Sequence, residues 1–534
     1  MGIKMASSSP RQTSPAEETD ANLPDAPPSA QVSDNEIKME EASSPQNVAQ
    51  PSGVALEDLF DDDDEDEIQA EMELSSTNNI PSSPPQTAPT MSPETETNGE
   101  QESYSDAMVM QQFYARLFPF RSLFQWLNHS PKPGPDFSNR EFALTLPNDA
   151  YLRYQSYATA DMLRKDILRH NPSRFEIGPV YTTNPRDRKT LRKSTMFRPL
   201  SKEIVFDIDL TDYDDIRTCC TKANICSKCW SFATMAIKVV DVALRDDFGF
   251  EHIIWIYSGR RGVHAWISDK DARELDDDRR KAITGYFEVL KGGVQGGKRV
   301  NLKRPLHPHI TRSLEILKPY FQQVLIDQDP FRSQSGQDRL LQLIPDRLLR
   351  DALAKKWTSS PDRPSTRKWA DIDSVAATGV SKTLDTKSLM EAKQDILLEY
   401  TYPRLDVEVG KKRNHLLKSP FVVHPGTGRV CVPITTNGDM ERAEAFDPLT
   451  VPKVTELLRE VDHFGSNGGP AEQDNGFVQD GSTMRKLNDW EKTSLKPYVE
   501  IFDGFVKTLL KSEMTRVKRE RDDDGITGAD GMEF

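Results

Sequence analysis

The sequence predicts an α/β fold with a mixed sheet, a helical subdomain inserted into it, and a disordered acidic tail in front. Short alternating segments typical of strands lie on both sides of residues 291–395, where apolar residues recur with helical spacing. Four of the five cysteines fall within eleven residues, which favours a small metal-binding knuckle inside the folded part. The first hundred residues carry 22 acidic and 3 basic side chains and few aromatics. Such a segment cannot bury enough apolar surface to stay folded.

The charge of the chain is divided unevenly between this tail and the remainder. The 534 residues carry a net charge of -15, whereas residues 1–100 alone carry -19. The remainder is therefore mildly basic, and a polyanionic partner remains allowed. No apolar run reaches the roughly 18 residues that a membrane span needs, and we expect neither a membrane contact nor a signal peptide. Five cysteines in so long a chain do not make a disulfide framework.

The predicted organisation follows these changes in composition and periodicity. We expect a disordered extension at 1–103, an α/β domain whose first part covers 104–290 with the knuckle at 219–229, the helical insertion at 291–395, the second part of that domain at 396–463, a linker at 464–484, a C-terminal helix at 485–515 and a disordered tail at 516–534.

The elements can be justified in chain order from periodicity and from turn residues. Residues 106–118 have helical spacing and end before Pro119. Alternating runs at 140–146 and 151–157 flank a Pro-Asn-Asp-Ala turn and predict a β-hairpin. The remaining predictions are strands at 203–210, 253–257, 263–268, 402–409 and 430–434 and helices at 231–248 and 452–461.

The register of the hairpin is left open by the sequence. Tyr151 and Arg153 share one face of the second run, and Glu141 lies on the first. A plain four-residue loop puts Glu141 and Arg153 on opposite faces, so only a bulge can bring them together.

Two carboxylates on one apolar strand are the strongest chemical signal. Asp207 and Asp209 are two residues apart, so both project to the same side of the strand, about 7 Å apart. Divalent cations would neutralise this repelling pair, and Mg²⁺ is typically held by one or two carboxylates together with substrate phosphates. The alternative is the solvated face of an edge strand. Asp406, in a segment that also reads as a strand, supplies a third carboxylate.

The cysteine cluster predicts a structural zinc site. Cys219, Cys220, Cys226 and Cys229 include a C-x-x-C pair, and four thiolates suit tetrahedral Zn²⁺. Adjacent cysteines are unusual ligands, and buried free thiols or an iron–sulfur cluster remain alternatives. Four closed ligands leave no open position on the ion, so the chemistry is expected elsewhere.

A turn rich in glycine and arginine predicts an anion receptor. Ser258-Gly259-Arg260-Arg261-Gly262-Val-His264 lies between two predicted strands. Its glycines allow close backbone approach, and arginine suits bidentate contact with phosphate. The alternative is an ordinary charged β-turn. Further along the chain, candidates for phosphate and sugar contacts are His415, Lys418 and His424, although a single histidine such as His424 is more often packed or capping.

A basic loop at residues 184–199 has two possible interpretations. It carries Arg186, Arg188, Lys189, Arg192, Lys193 and Arg198. An ordinary surface loop is favoured over a contact with template phosphates.

Taken together, these motifs resemble the catalytic small subunit of eukaryotic DNA primase, within the archaeo-eukaryotic primase superfamily. The resemblance covers residues 105–462 and rests on Phe206-Asp-Ile-Asp209 with Tyr213-Asp-Asp, the cysteine knuckle, the Ser258–His264 turn, Pro403-Arg-Leu-Asp406 and Asn414-His-Leu-Leu-Lys-Ser-Pro-Phe421. The acidic extension and the charge of the basic loop depart from the family pattern.

The resemblance implies roles for individual residues. Asp207, Asp209 and Asp406 would bind two catalytic Mg²⁺ or Mn²⁺ ions, and Glu141 would be an acidic active-site residue. The nucleotide site would consist of Tyr151, Arg153, Ser258, Gly259, Arg260, Arg261, Gly262, His264, His415, Leu416, Lys418 and His424.

It also implies an activity and partners. The expected reaction is synthesis of short RNA primers from ribonucleoside triphosphates on single-stranded DNA, in the nucleus. Expected partners are a primase large subunit and DNA polymerase α with its accessory subunit. The alternatives are a repair primase–polymerase that uses deoxynucleotides and an inactive zinc-knuckle scaffold in a replication complex.

Overall fold

The computed structural model describes residues 106–291, 298–436, 440–466, 477–480 and 483–527. The predicted disordered extension at 1–103 lies outside the described residues, and so do positions 528–534 of the predicted C-terminal tail. Within the described ranges, no helix is long and apolar enough to cross a bilayer.

A first antiparallel sheet forms around the predicted hairpin. Its strands have the order β2-β1-β3-β4, and β8 also pairs with β3. They are β1 (Arg140–Thr145), β2 (Tyr151–Gln155), β3 (Arg174–Tyr181), β4 (Pro199–Ser201) and β8 (Leu417–Lys418). The pairing of β3 with β8 brings a segment from late in the chain beside the hairpin.

The hairpin contains the bulge that the sequence left open. The register between β1 and β2 shifts between Phe142 and Leu144, and Tyr154 on β2 has a positive φ of 61°. The shift brings Arg153 to the carboxylate of Glu141, with an Nε–Oε1 distance of 3.2 Å.

A second antiparallel sheet carries the predicted carboxylate strand. Its order is β5-β7-β6-β9, formed by β5 (Ile204–Asp209), β6 (Ile253–Tyr257), β7 (Gly262–Ile267) and β9 (Pro433–Ile434). All residues of β6 and β7 are buried, which agrees with their apolar sequences. The register pairs Asp207 with His264 and Asp209 with Gly262, so the carboxylates lie beside the arginine-rich turn.

The predicted strand at 402–409 is wrong. Asp406 makes a single isolated bridge with Asp207, and its side chain then accepts a hydrogen bond from the N–H of Glu408 and caps a short helix. Asx capping of the backbone competes with strand pairing, and this local preference prevails here.

Helices cover both sheets and form the region between β7 and β8. Several begin after an Asp, Ser or Thr side chain that accepts a hydrogen bond from the first turn, the usual N-cap. The helices are α1 (Ala107–Arg116), α2 (Phe120–Asn128), α3 (Pro135–Ser138), α4 (Ala160–His170), α5 (Ser227–Asp246), α6 (Lys270–Arg273), α7 (Asp277–Phe287), α8 (Pro308–Asp327), α9 (Gln334–Leu343), α10 (Arg347–Thr358), α11 (Ser365–Ala376), α12 (Thr386–Thr401), α13 (Val407–Lys411), α14 (Met440–Glu444), α15 (Val454–Ser466) and α16 (Lys496–Thr527).

The C-terminal region differs from its prediction in two places. Two short strands, β10 (Phe477–Asp480) and β11 (Thr483–Lys486), pair within and just beyond the segment predicted as a linker. The last helix continues to Thr527, past residue 515 where the sequence placed its end. Its Phe502 packs edge-on against both Trp126 of α2 and Phe421, so α16 is part of the core.

Candidate active site

The three predicted carboxylates converge where the second sheet meets the segment before α13. Asp207 and Asp209 lie on one face of β5, and the N–H of Asp406 donates a hydrogen bond to the carbonyl of Asp207 at 3.0 Å. Asp207 is flanked by fully buried Phe206 and Ile208, which hold the strand rigidly.

Like charge dominates the electrostatics of this cluster. Burial and the neighbouring carboxylates of Asp209 and Asp406 raise the pKa of Asp207 to about 8. A fourth carboxylate, Asp212, lies in the short 3₁₀ helix that follows β5, and burial together with Asp209 and Asp406 raises its pKa to about 6. The acids are therefore close enough to interact strongly, and the positive charge around them does not offset burial and their mutual repulsion.

Asp209 directs its carboxylate at the arginine-rich turn. Both of its oxygens accept hydrogen bonds from Nε of Arg261, each at 2.8 Å. One of them also accepts hydrogen bonds from Thr211, from its N–H and its hydroxyl. Among the described residues, only the four cysteines discussed below bring ligand atoms of three or more residues within 4.8 Å of one another. The acids therefore face one another across a wider gap than the thiols do.

The Ser258–His264 turn needs glycine at both predicted positions. Gly259 has a φ of +88°, and a Cβ there would lie 2.7 Å from Cβ of His424. A Cβ on Gly262 would lie 2.6 Å from the carbonyl oxygen of Ile208. Ser258 closes the turn because its hydroxyl accepts a hydrogen bond from the N–H of Gly262 at 3.0 Å. The backbone of the turn thus packs directly on β5 and on the loop that carries His424.

The imidazole beside the acids is neutral. His264 is almost fully buried, and its Nε2 lies 3.6 Å from a carboxylate oxygen of Asp207. Burial and the positive charge of Lys418 lower the pKa of His264 to about 3. Burial and the charges of Lys418, Arg260 and Arg261 likewise lower the pKa of His424. Neutral imidazoles here can donate or accept hydrogen bonds without adding charge.

The β8 segment forms the wall opposite the carboxylates. Lys418 pairs in register with Glu176 of β3, and its charge acts on Asp207, His264 and His424. His415 and Leu416 precede β8 and are half-buried, and the carbonyl of His415 accepts a hydrogen bond from the ammonium group of buried Lys202.

Glu141 supports the hairpin and has no free carboxylate oxygen. It is fully buried; one oxygen accepts hydrogen bonds from the side chain of Arg153 and the N–H of Tyr154, and the other accepts one from the hydroxyl of Tyr181. Tyr151 donates its hydroxyl to Glu176 at 2.6 Å. The carboxylate of Glu141 thus holds Arg153 in place.

Three residues of this region escaped the sequence analysis. Asp212 follows Asp209 by three residues, and that spacing was a usable signal. Arg174 starts β3, and its charge acts on His424, but only the pairing of β3 with β8 reveals this. The role of Tyr181 depends likewise on the pairing of β1 with β3.

The four cysteines form a second candidate metal site. Their sulfur atoms lie within 4.8 Å of one another, with Cys226 Sγ 3.6 Å from that of Cys219 and 3.9 Å from that of Cys229. Cys226 caps the N-terminus of α5 and Cys229 lies in its first turn. All four are free of disulfides. Four convergent thiols on one side of a helix fit a structural Zn²⁺ ion.

Comparison with known proteins gives one consistent family. Residues 206–436 match the model of the DNA primase small subunit family. The chain is 53% identical over 423 residues to the DNA primase small subunit of Schizosaccharomyces pombe, covering 78% of this chain and 92% of that protein. Identity to the protein of the same name is 43% in Saccharomyces cerevisiae, over 80% of this chain and 98% of that one, and 36% in Drosophila melanogaster, over 75% and 91%.

Proposed function

Because the chain belongs to the family of DNA primase small subunits, we propose that it makes short RNA primers from ribonucleoside triphosphates on a single-stranded DNA template. The observation that carries this proposal is the cluster of Asp207, Asp209 and Asp406, in which Arg261 of the glycine-arginine turn pairs with Asp209 while the pKa of Asp207 stays raised. Phosphoryl transfer is catalysed mainly by positioning and by neutralising charge, and these two elements supply both.

Asp207, Asp209 and Asp406 would hold two Mg²⁺ or Mn²⁺ ions. Burial and repulsion from Asp209 and Asp406 raise the pKa of Asp207, and a hard cation would offset both, which supports the fit. When bound, such ions activate an attacking hydroxyl and stabilise the leaving pyrophosphate.

The turn and β8 would bind the triphosphate of the incoming nucleotide. Arg260, Arg261 and Lys418 supply positive charge on the open side of the acids, and Ser258 holds the turn in shape. Arg261 now pairs with Asp209, and a cation on Asp209 would free this guanidinium for a phosphate. Neutral His264 keeps one ring nitrogen as a hydrogen-bond donor for the nucleotide.

The remaining assignments follow from the family and from the cysteines. The four thiols would bind one structural Zn²⁺, and elemental analysis should find about one zinc per chain that Cys226→Ser removes. As a small subunit the protein would pair with a primase large subunit. We extend this to assembly with DNA polymerase α and its accessory subunit, in the nucleus.

The test is synthesis of RNA by the purified full chain. It is incubated with single-stranded DNA, Mg²⁺ or Mn²⁺ and all four ribonucleotides, with and without a large subunit. Short RNA products from the unsubstituted chain, lost in Asp207→Asn and kept in Asp278→Asn at a 94% exposed position, would support the proposal.

The same assay separates the alternatives. Products formed only from deoxynucleotides would identify a repair primase–polymerase, and no product from either set with the large subunit present would indicate an inactive scaffold.

A further inference from the structure

The basic loop at residues 184–199 is held in a fixed position against the candidate nucleotide hairpin. Two 3₁₀ turns, Pro185–Thr190 and Ser194–Met196, make up most of it, and its end pairs with β3 as β4. The ring of Phe197 stacks on that of Tyr181, with centroids 4.0 Å apart and planes within 6°. Tyr181 in turn donates its hydroxyl to Glu141, the support of Arg153. The sequence favoured a mobile surface loop; the loop is largely exposed, and these contacts anchor it beside the hairpin.

Two of its arginines take part in this attachment. The guanidinium carbon of Arg188 lies 3.9 Å from the centre of the Tyr154 ring. That of Arg186 lies 4.9 Å from the centre of the Tyr157 ring, and a nitrogen of Arg186 pairs with Asp166 at 3.3 Å. Cation–π contacts of this kind stabilise each position modestly. They explain two of the six cations of the loop and leave four.

The other four cations serve no interaction within the described chain. Lys189, Arg192, Lys193 and Arg198 are exposed, and none of their side chains has an ion pair or hydrogen bond with a residue that the structure describes. Asp187 is the only acid in the loop. Like charges held this close repel one another, in a chain whose overall charge is negative. Folding does not require such a cluster, whereas a polyanion would neutralise it.

We propose that this cluster is a binding surface for the phosphate backbone of the single-stranded DNA template. The inference rests on the proposed function, since it assigns a surface to that substrate. Phosphate contacts position a strand and read no sequence, as a template of any sequence requires. The triphosphate already has Arg260, Arg261 and Lys418 beside the acids, so these four cations are available for a strand passing the hairpin.

The test removes three of these charges and measures DNA binding. In Lys189→Gln/Arg192→Gln/Lys193→Gln, the affinity of the full chain for a labelled, unprimed oligothymidylate should fall on the order of 10-fold at low salt, and the slope of log K against log salt should fall by roughly 2, since each lost phosphate contact on a single strand contributes about 0.7. The variant that exchanges lysine and arginine at the same positions should keep both.

A matched control removes three exposed lysines elsewhere. Lys318→Gln/Lys382→Gln/Lys387→Gln changes the net charge by the same amount, and its positions lie on α8, before α12 and in the first turn of α12. It should bind DNA as the unsubstituted chain does. An equal loss in this control would mean that only overall charge matters and would overturn the proposal.

Three further results would also overturn it. The first is unchanged DNA affinity in the loop variant. The second is a loss of affinity confined to primed DNA, which would assign the surface to the product strand. The third is a raised KM for ribonucleotides with unchanged DNA affinity. If the unsubstituted chain makes no RNA, the proposed function fails, but the binding comparison still decides the role of the loop because it needs no catalysis.

Discussion

Two clusters of charged side chains share neighbouring chain segments and differ in how their charges are balanced. One is the carboxylate cluster of Asp207, Asp209, Asp212 and Asp406. The other is here called the Asp215 cluster. Its Asp215 follows Asp209 by six residues, and its Arg404 precedes Asp406 by two. It contains Asp215, Glu399, Arg299, Arg339 and Arg404.

In the Asp215 cluster every carboxylate has guanidinium partners. Arg339 pairs with Asp215 and with Glu399, each at 2.9 Å, and Arg299 does the same at 3.1 Å. Burial raises the pKa of Asp215, but the charge and hydrogen bonds of Arg404 and its neighbours outweigh burial and lower it. In the carboxylate cluster Arg261 pairs with Asp209, but burial and the neighbouring acids still raise the pKa of Asp207. Matched charge holds the fold together, and unmatched charge marks where a cation can bind.

The largest effect should come from the unmatched cluster and should leave stability alone. Asp406→Asn keeps the side-chain oxygen that caps α13 but removes a negative charge that we propose holds metal. Primer synthesis should fall about 1000-fold, since a metal contributes several kcal/mol. Primer-synthesis rates are measured at saturating Mn²⁺, and thermal melting is measured without divalent metal, because a bound metal would itself stabilise the unsubstituted chain. A melting temperature that falls with the activity would contradict the comparison.

The matched cluster should respond in the opposite way. Asp215→Asn leaves three guanidiniums facing one carboxylate, and breaking such a buried network costs about 3–5 kcal/mol of the free energy of unfolding. Urea unfolding followed by circular dichroism measures it. A fall below 1 kcal/mol would show that the cluster is not structural.

A single arginine of the matched cluster should have a smaller effect. Arg339 comes from the helical insertion, and its side chain is 20% exposed, so Arg339→Met should lower the free energy of unfolding by about 1–3 kcal/mol. Arg332→Met is the control, because that side chain is 62% exposed and surface pairs contribute about 0–1 kcal/mol. Equal losses of unfolding free energy in the two variants would show that Arg339 contributes no more than an exposed surface arginine.

The smallest effect should be a difference in how stability depends on pH. The pKa of Asp207 is raised to about 8 in the folded state, so its contribution is present below the unfolded value near 4 and is lost as pH rises through 8. Without added divalent metal, Asp207→Asn should therefore gain stability relative to the unsubstituted chain between pH 5 and 8.5. Asp215, whose pKa is lowered, stabilises above its unfolded value and loses this contribution as pH falls. Melting temperatures between pH 5 and 8.5 test the sign for Asp207, and melting temperatures taken as pH falls from 5 through about 4 and below test the sign for Asp215.

Patterns within a single strand or turn predicted those parts of the site that lie on one continuous stretch of sequence. The alternation in β5 and the glycines of the Ser258–His264 turn indicated that Asp207 and Asp209 share a face and that an arginine-rich turn lies near them, and Arg261 does pair with Asp209. Asp406 was placed on a strand because its neighbours are apolar, yet its own side chain caps a helix. The bulge that joins Arg153 to Glu141 depends on backbone geometry at Tyr154 that no pattern of residue types specifies.

The Asp215 cluster could not have been predicted from the sequence. Its arginines reach Asp215 from 84, 124 and 189 residues away, so no spacing rule connects them. The same holds for Arg174, which reaches the site only through the pairing of β3 with β8. The positions of these arginines depend on contacts between distant parts of the chain, which the sequence pattern does not specify.

The packing of α16 has a consequence for the order in which the protein is made. Phe502 fills the space between Trp126, near the start of the folded part, and Phe421, three residues after Lys418. During translation the chain emerges from its N-terminus, so Trp126 is released almost four hundred residues before its partner. Until the last helix leaves the ribosome, the Trp126 and Phe421 rings lack their contacts with Phe502. These two long-range contacts can therefore form only late in synthesis of the chain.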